Sequence, residues 1–256
     1  MVMGSRKWYN ALIKSTGEKE APMESTSKKA GQKINVAIIG TIGVGKSTFV
    51  KHLSDEVERR GENLLVDLEP SVTIQSINDI LERFYQDMEP WAYPLQLSIA
   101  AANEVQLQEA KSRDYDVMLF DSPYSAFEYC RIHAKHGRIT DEEKNAIDAI
   151  SRPFPFDDVI LIKETKEKSI ERIKKRNGAV EKKSNALAQA DVPIKDFDYV
   201  EEHMKDYNRY LLEYLDKKFP KAERIEINGL PEERTPEYDI LISKVCERIL
   251  AMGQHR

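Results

Sequence analysis

The stretch Gly40-Thr-Ile-Gly-Val-Gly-Lys-Ser-Thr48 follows the apolar run Ile34-Asn-Val-Ala-Ile-Ile39 and precedes a segment of helical period over residues 48–60. A strand, a glycine-rich turn and a helix start in that order form the setting of a phosphate-binding P-loop. Glycine lets backbone approach an anion closely, and the N–H groups of the loop and helix start then point at phosphate oxygens. Gly40, Thr41, Ile42, Gly43, Val44, Gly45, Lys46, Ser47 and Thr48 are therefore the candidate nucleotide site. Lys46 is expected to hold the β- and γ-phosphates. Ser47 offers its hydroxyl to Mg²⁺, so the expected ligand is a nucleoside triphosphate with its metal.

Composition narrows the partners. The 256 residues carry 39 Lys+Arg against 44 Asp+Glu, a net charge of -5, and 41% are hydrophobic. That supplies a substantial core, and with charges well mixed no basic field points to nucleic acid. The acceptor is expected to be small. Cys130 and Cys246 match no metal-ligand spacing and suit a reducing compartment. No apolar run approaches the ~20 residues that cross a bilayer, so a soluble, cytoplasmic chain without a membrane partner is expected. Residues 1–32, rich in Lys, Ser, Thr, Glu and Gly, predict a flexible tail, with the folded domain over 33–256. Residues 1–17 hold Arg6, Lys7 and Lys14 without an acid, beside Trp8, Tyr9, Leu12 and Ile13, which also fits an organellar transit peptide.

Along the chain, Leu64-Leu-Val-Asp-Leu68 predicts a buried second strand ending at Glu69-Pro70. Residues 74–85 predict a helix, and Trp91-Ala-Tyr-Pro-Leu-Gln96 introduces a longer one to about residue 111. Tyr115-Asp-Val-Met-Leu-Phe120 is a third strand, ending at Asp121, and Asp158-Val-Ile-Leu-Ile162 a fourth. Helical period returns over residues 141–150, 166–176, 196–219 and 238–252, with Arg224-Ile-Glu-Ile-Asn228 as a fifth strand. In the last helix Ile240, Leu241, Val245 and Ile249 are expected to face inward. Strands alternating with long crossovers imply an α/β fold, a five-stranded parallel sheet with helices on both faces. Ligands in such sheets bind beyond the carboxyl ends of the strands, which puts Glu69 at the mouth of the site. The basic segment from Lys166 to Arg176 reads as a lid able to close over phosphates.

With the P-loop, Leu68-Glu-Pro70, Leu81-Glu-Arg-Phe-Tyr-Gln-Asp-Met-Glu-Pro-Trp-Ala-Tyr-Pro-Leu-Gln96 and Glu171-Arg-Ile-Lys-Lys-Arg-Asn-Gly-Ala-Val-Glu181 in one order, the chain resembles the P-loop deoxyribonucleoside kinase family over about residues 34–250. The resemblance implies transfer of the ATP γ-phosphate to the 5'-hydroxyl of a deoxyribonucleoside, in nucleotide salvage, by a homodimer. It makes Glu69 the general base, which accepts the hydroxyl proton as the oxygen attacks. Tyr85 falls where the family binds the 3'-hydroxyl and Gln96 where an amide reads the base, with Leu95, Ile99, Asn103 and Ala126 in the same pocket. An amide offers donor and acceptor together, so it discriminates poorly between bases. Arg172 and Arg176 fall on the phosphate side of the lid and Glu181 near the sugar. The helices read at 97–111 and 131–150 are expected to build the dimer interface.

Two departures stand out. Gly178 lies where the family usually has a further Arg, so the lid leans on Arg176. The family's Glu-Arg-Ser motif is replaced by Phe120-Asp-Ser-Pro-Tyr-Ser-Ala126. Shifted by one residue, Asp121 takes the place of the Glu and serves Mg²⁺; aligned without the shift, it replaces the Arg. Arg131 is the candidate to replace that missing Arg near the acceptor's 5'-oxygen, or to hold an acceptor phosphate. A deoxynucleoside monophosphate kinase, or a P-loop regulator that binds ATP without acceptor chemistry, are the alternative functions.

Overall fold

Strand β1 (Ile34–Ile39) is buried along its whole length, because successive side chains enter two different helical layers. Val36 and Ile38 join one apolar cluster, Ala37 and Ile39 the other. Around it, β2 (Leu64–Asp67), β3 (Val117–Asp121), β4 (Asp158–Lys163) and β5 (Glu223–Asn228) complete a sheet in the order β2-β3-β1-β4-β5, every pair parallel. The computed structural model describes residues 33–182, 193, 194 and 196–252. The expectations of a tail or transit peptide within residues 1–32 lie outside the described residues.

On one face of the sheet lie α1 (Lys46–Arg59) and α9 (Pro236–Met252), contributing Phe49, Leu53, Val57, Ile242, Val245 and Ile249. Against the other pack the end of α4 (Met88–Ser112), the start of α5 (Ser125–Lys135) and α8 (Phe197–Lys218), through Leu107, Phe127, Leu211 and Tyr214. A third cluster stands clear of the strands. It joins Phe84 of α3 (Gln75–Gln86), Leu95 and Ile99 of α4, Cys130 of α5, Ile173 of α7 (Lys166–Lys182) and Tyr199 of α8. Among the described residues no helix is long and apolar enough to cross a membrane.

Four local expectations need correction, and one short helix is an addition. Strand β2 is only half-buried, because it is the edge of the sheet. Helix α4 begins at Met88, before Trp91, and carries Pro94 within it; Pro90 sits in the first turn, where no donor is needed, and the long buried face tolerates the one N–H that Pro94 lacks. Residues 131–150 are two helices: α5 ends at Lys135, Gly137 turns the chain at φ +73°, and α6 (Asp141–Ile150) restarts on a capping box between Thr140 and Glu143. Ile240 is 54% exposed, with Tyr238, Ile242 and Cys246 taking the inward positions of α9. A one-turn helix, α2 (Pro70–Thr73), follows Glu69 directly, with Pro70 at its first position.

The P-loop is held closely by β4 and by α7. A Cβ on Gly40 would lie 2.5 Å from the Ile162 carbonyl oxygen, and one on Gly43 would lie 2.8 Å from the Ser169 carbonyl oxygen and 2.9 Å from Ile173. Gly43 also has φ +77°. Gly43→Ala therefore combines left-handed strain with a backbone clash against α7, and a loss on the order of 1–3 kcal/mol is expected. Urea denaturation checks it through a lower midpoint at unchanged slope.

Candidate active site

Register delivers the site. Ile38 is level with Asp121 on β3, and Asp67 on β2 with Phe120. The residues that follow each strand, the loop from Gly40, then Glu69, and Asp121 itself, therefore emerge on one edge of the sheet. Since β1 separates β3 from β4, the loop opens where the chain direction of the crossovers reverses, the usual crevice of such sheets. Here Lys46 Nζ donates to the carbonyls of Gly40 (2.8 Å) and Thr41 (3.2 Å). Ser47 Oγ donates to Asp121 Oδ2 at 3.0 Å, and Ser122 Oγ to Oδ1 at 2.8 Å.

A small cleft opens beside the lysine, lined by Ile39, Gly40, Lys46, Glu69, Ser122, Ser125, Glu128, Tyr129, Tyr207 and Tyr214. Burial pushes the Glu69 carboxyl above the ordinary range; the charge of Lys46 opposes this, and Asp121 adds to it. Arg176 also reaches Glu69 electrostatically. It reaches Tyr85 too, whose phenol is raised mainly by burial and, less, by Glu69. Lys46, Glu69, Asp121, Tyr85 and Arg176 thus share one neighbourhood. Arg176 Nε is buried without a partner among the described residues.

Arg172, one helical turn earlier, is differently engaged. Its guanidinium donates to the carbonyls of Val44 (2.9 Å) and Leu230 (3.3 Å) and pairs with Glu164 at 3.0 Å. Within the loop, Val44 is fully buried and Ile42 packs on the third cluster, while Ser47 and Thr48 are exposed and Thr41 Oγ1 has no partner among the described residues. On α4, Leu95, Gln96, Ile99 and Asn103 are all buried, as is Ala126 on α5. Gln96 Oε1 and Asn103 Oδ1 find no partner among the described residues. Gln106, which accepts from Asn103, donates to the Leu68 carbonyl at 3.1 Å and so ties α4 to the residue before Glu69. The side chain of Glu181 lies outside the described residues.

Arg131 is a correction. It does not line the cleft. Its guanidinium forms a two-point pair with Asp148 (3.0 and 2.8 Å), donates to Glu213 (3.1 Å) and to the Phe127 carbonyl (2.8 Å), and lies 3.4 Å from the centre of the Phe127 ring. Every face of it is committed to joining α5, α6 and α8. Local sequence patterns did not disclose the wall formed by Ser125, Glu128 and Tyr129. Their i, i+3, i+4 spacing puts them on one face of α5, a signal hidden when the helix is read only from residue 131. Glu128 is buried, with its carboxyl pushed well above the usual range by burial, against the pull of Lys46. His203 lies 4.0 Å from it and is held neutral, its pKa lowered to about 3 by burial and by Lys46.

Comparison with known proteins bears on the family and the fold. A family model described as deoxynucleoside kinase matches residues 36–237. No curated protein matches the chain in sequence. Among solved structures, a deoxyadenosine kinase from M. mycoides with the products dCMP and a flexible dCDP bound is 19% identical, with TM-score 0.63 over 84% of this chain and 100% of that one. The M. mycoides enzyme with bound dATP is 20% identical, with TM-score 0.61 over 83% and 99%. At these identities the likeness concerns the fold.

Removing the Arg131 guanidinium leaves Asp148 without its two-point partner, while Glu213 keeps Lys217 at 2.8 Å. Arg131→Ala is expected to lower stability by about 2–3 kcal/mol, below the full cost of a broken buried pair because Asp148 keeps 27% of its side-chain exposure. Chemical denaturation measures it, and the KM for the phosphate acceptor should not change.

Proposed function

This chain belongs to the deoxynucleoside kinase family, and we propose that its cleft passes the γ-phosphate of ATP to the 5'-hydroxyl of a deoxyribonucleoside, with Glu69 as the proton acceptor. The observation that carries the mechanism is the meeting of Lys46, Glu69 and the Ser47–Asp121 pair at one end of the sheet. Little covalent chemistry is asked of the protein in such a transfer; position and charge do most of it. Lys46 leaves the Gly40 and Thr41 carbonyls for the phosphates, and the loop N–H groups cradle them. Arg176, without a partner at Nε among the described residues and close to Glu69, meets the charge that spreads over the moving phosphoryl oxygens. Glu69, raised by burial, is the stronger base for it.

The donor set fits Mg²⁺: an exposed hydroxyl on Ser47 and a carboxylate on Asp121 are hard oxygen ligands, and Mg²⁺ takes one or two of these and fills its shell with phosphate and water. When bound, it neutralises charge on the transferring phosphates. Tyr85 takes the sugar hydroxyl and Gln96, whose Oε1 lacks a partner among the described residues, the base edge. The M. mycoides enzyme of the same fold holds dATP in one structure and dCMP in another, which makes deoxyadenosine and deoxycytidine the first acceptors to try. A cytoplasmic homodimer belongs to the same proposal, with exposed Val105 of α4 on a face that a second copy covers.

A monophosphate acceptor is disfavoured. The cation considered for its phosphate, Arg131, is held by Asp148 and Glu213. An ionised Glu69 about 4 Å from such a phosphate would repel it by roughly 4 kcal/mol at an effective dielectric of about 20. The test is a panel of the four deoxynucleosides and their monophosphates with ATP, run with Mg²⁺ and with a chelator and read by chromatography. Monophosphate products that vanish on chelation are expected. Diphosphate products alone would install the monophosphate-kinase alternative.

Glu69→Gln keeps shape and removes the proton acceptor, so kcat is expected to fall on the order of 10²-fold or more, with ATP binding little changed. Only the ionised form can act. The raised pKa therefore places the acidic limb of the kcat/KM profile above the ordinary Glu value of 4.5, with activity rising as pH increases through it. Near-normal turnover in the variant would remove Glu69 from the role.

A further inference from the structure

Ser125, Glu128 and Tyr129 on the α5 wall of the cleft are polar groups that the mechanism above does not use, and Tyr129 is the one that carries an inference. Tyr129 lines the cleft with Lys46 and Glu69. Its ring is fixed in place by stacking on His203, 4.2 Å between centroids and 25° between planes. From there an aromatic run leads to the sugar side of the pocket: His203 to Tyr199 at 6.2 Å, and Tyr199 to Tyr85 at 6.3 Å. Glu69, Glu128 and Tyr85 all act electrostatically on the Tyr129 hydroxyl. The residue is half-buried, and among the described residues its hydroxyl makes no hydrogen bond.

We infer that Tyr129 is an acceptor-contacting residue, whose Oη–H donates a hydrogen bond to the attacking 5'-oxygen and turns it between Glu69 and the γ-phosphate. This role rests on the phosphoryl-transfer mechanism proposed above. A hydroxyl oxygen has two lone pairs and one proton. The proton goes to Glu69, one lone pair accepts from Tyr129, and the other attacks phosphorus. Burial, first of all, raises the phenol pKa well above its usual range, so it stays protonated and acts as a donor. Two nearby arginines are committed elsewhere, since Arg131 is bound to Asp148 and Glu213 and Arg172 to the loop carbonyl of Val44.

Tyr129→Phe keeps the ring and its stack on His203 and removes only the hydroxyl. The test uses the full chain, whichever deoxynucleoside it phosphorylates fastest, and the 5'-deoxy analogue of that nucleoside, which lacks the attacking oxygen. The variant is expected to lose about two- to ten-fold in kcat/KM for the nucleoside, the size of one hydrogen bond, with the KM for ATP and the melting temperature unchanged. Calorimetric Kd values for the 5'-deoxy analogue should be equal in the two proteins. Equal weakening toward the nucleoside and its 5'-deoxy analogue would mean that the hydroxyl acts elsewhere, and overturns the inference. Unchanged kinetics with an active wild type overturns it alone, whereas a wild type inactive on all four deoxynucleosides removes the proposed function as well.

Discussion

Lys46 is the cation that two carboxyls at the end of the sheet share, the half-buried Glu69 and the buried Glu128. Glu69 and Glu128 both feel it, and in each it opposes a rise caused by burial. Taking a carboxylate out of water costs several kcal/mol unless an opposite charge is close. The P-loop lysine therefore has a structural role before any nucleotide arrives. A triphosphate that draws Lys46 away from the Gly40 and Thr41 carbonyls also draws it toward negative charge of its own. On the proposed mechanism, the attraction that holds Glu69 toward its ionised form is then shared, so donor binding and proton acceptance are coupled through Lys46.

The strands were legible because β1, β3 and β4 are buried on both faces, which leaves near-continuous apolar runs that no other element of that length produces. The loop was legible because its glycine spacing, its Lys-Ser pair and the apolar strand before it are contiguous in the chain. Arg131 was not. Its partners Asp148 and Glu213 lie 17 and 82 residues further along, and nothing in a local pattern separates a cation held by tertiary partners from one facing a ligand. Ile240 failed for a related reason: apolar residues surround the start of α9, and the true inward stripe, set by Tyr238, Ile242 and Cys246, is found only when the angle of docking on α1 is known. The candidate base was legible from its place after a strand; the α5 wall was not, because Ser122-Pro-Tyr gives no helical signal before Ser125.

That same segment carries the strain of the site. Ser122 and Tyr124 have φ of 56° and 61°, a left-handed backbone that costs a non-glycine residue about 1–2 kcal/mol. Two anchors hold it. Tyr124 Oη donates to the Arg152 carbonyl at 2.6 Å, and Tyr214 Oη donates to the Pro123 carbonyl. The turn they enforce keeps Asp121 and Ser122 against the loop while starting α5 at the angle that sends Ser125, Glu128 and Tyr129 toward Lys46. A relaxed turn would aim that face elsewhere.

The lid divides its work by helical turn. Arg172 and Arg176 stand four residues apart on α7, on one face, yet one is saturated with partners and the other holds a buried Nε without one among the described residues. Through Arg172 the first half of α7 is already fastened to Val44 and Leu230, and Gly43 meets Ser169 and Ile173 closely enough to exclude even a methyl group. Closure over the phosphates therefore does not require the helix to swing from its base. On the proposed mechanism Arg176, set beside Glu69 and Tyr85, joins Lys46 in answering the charge of the transferring phosphate.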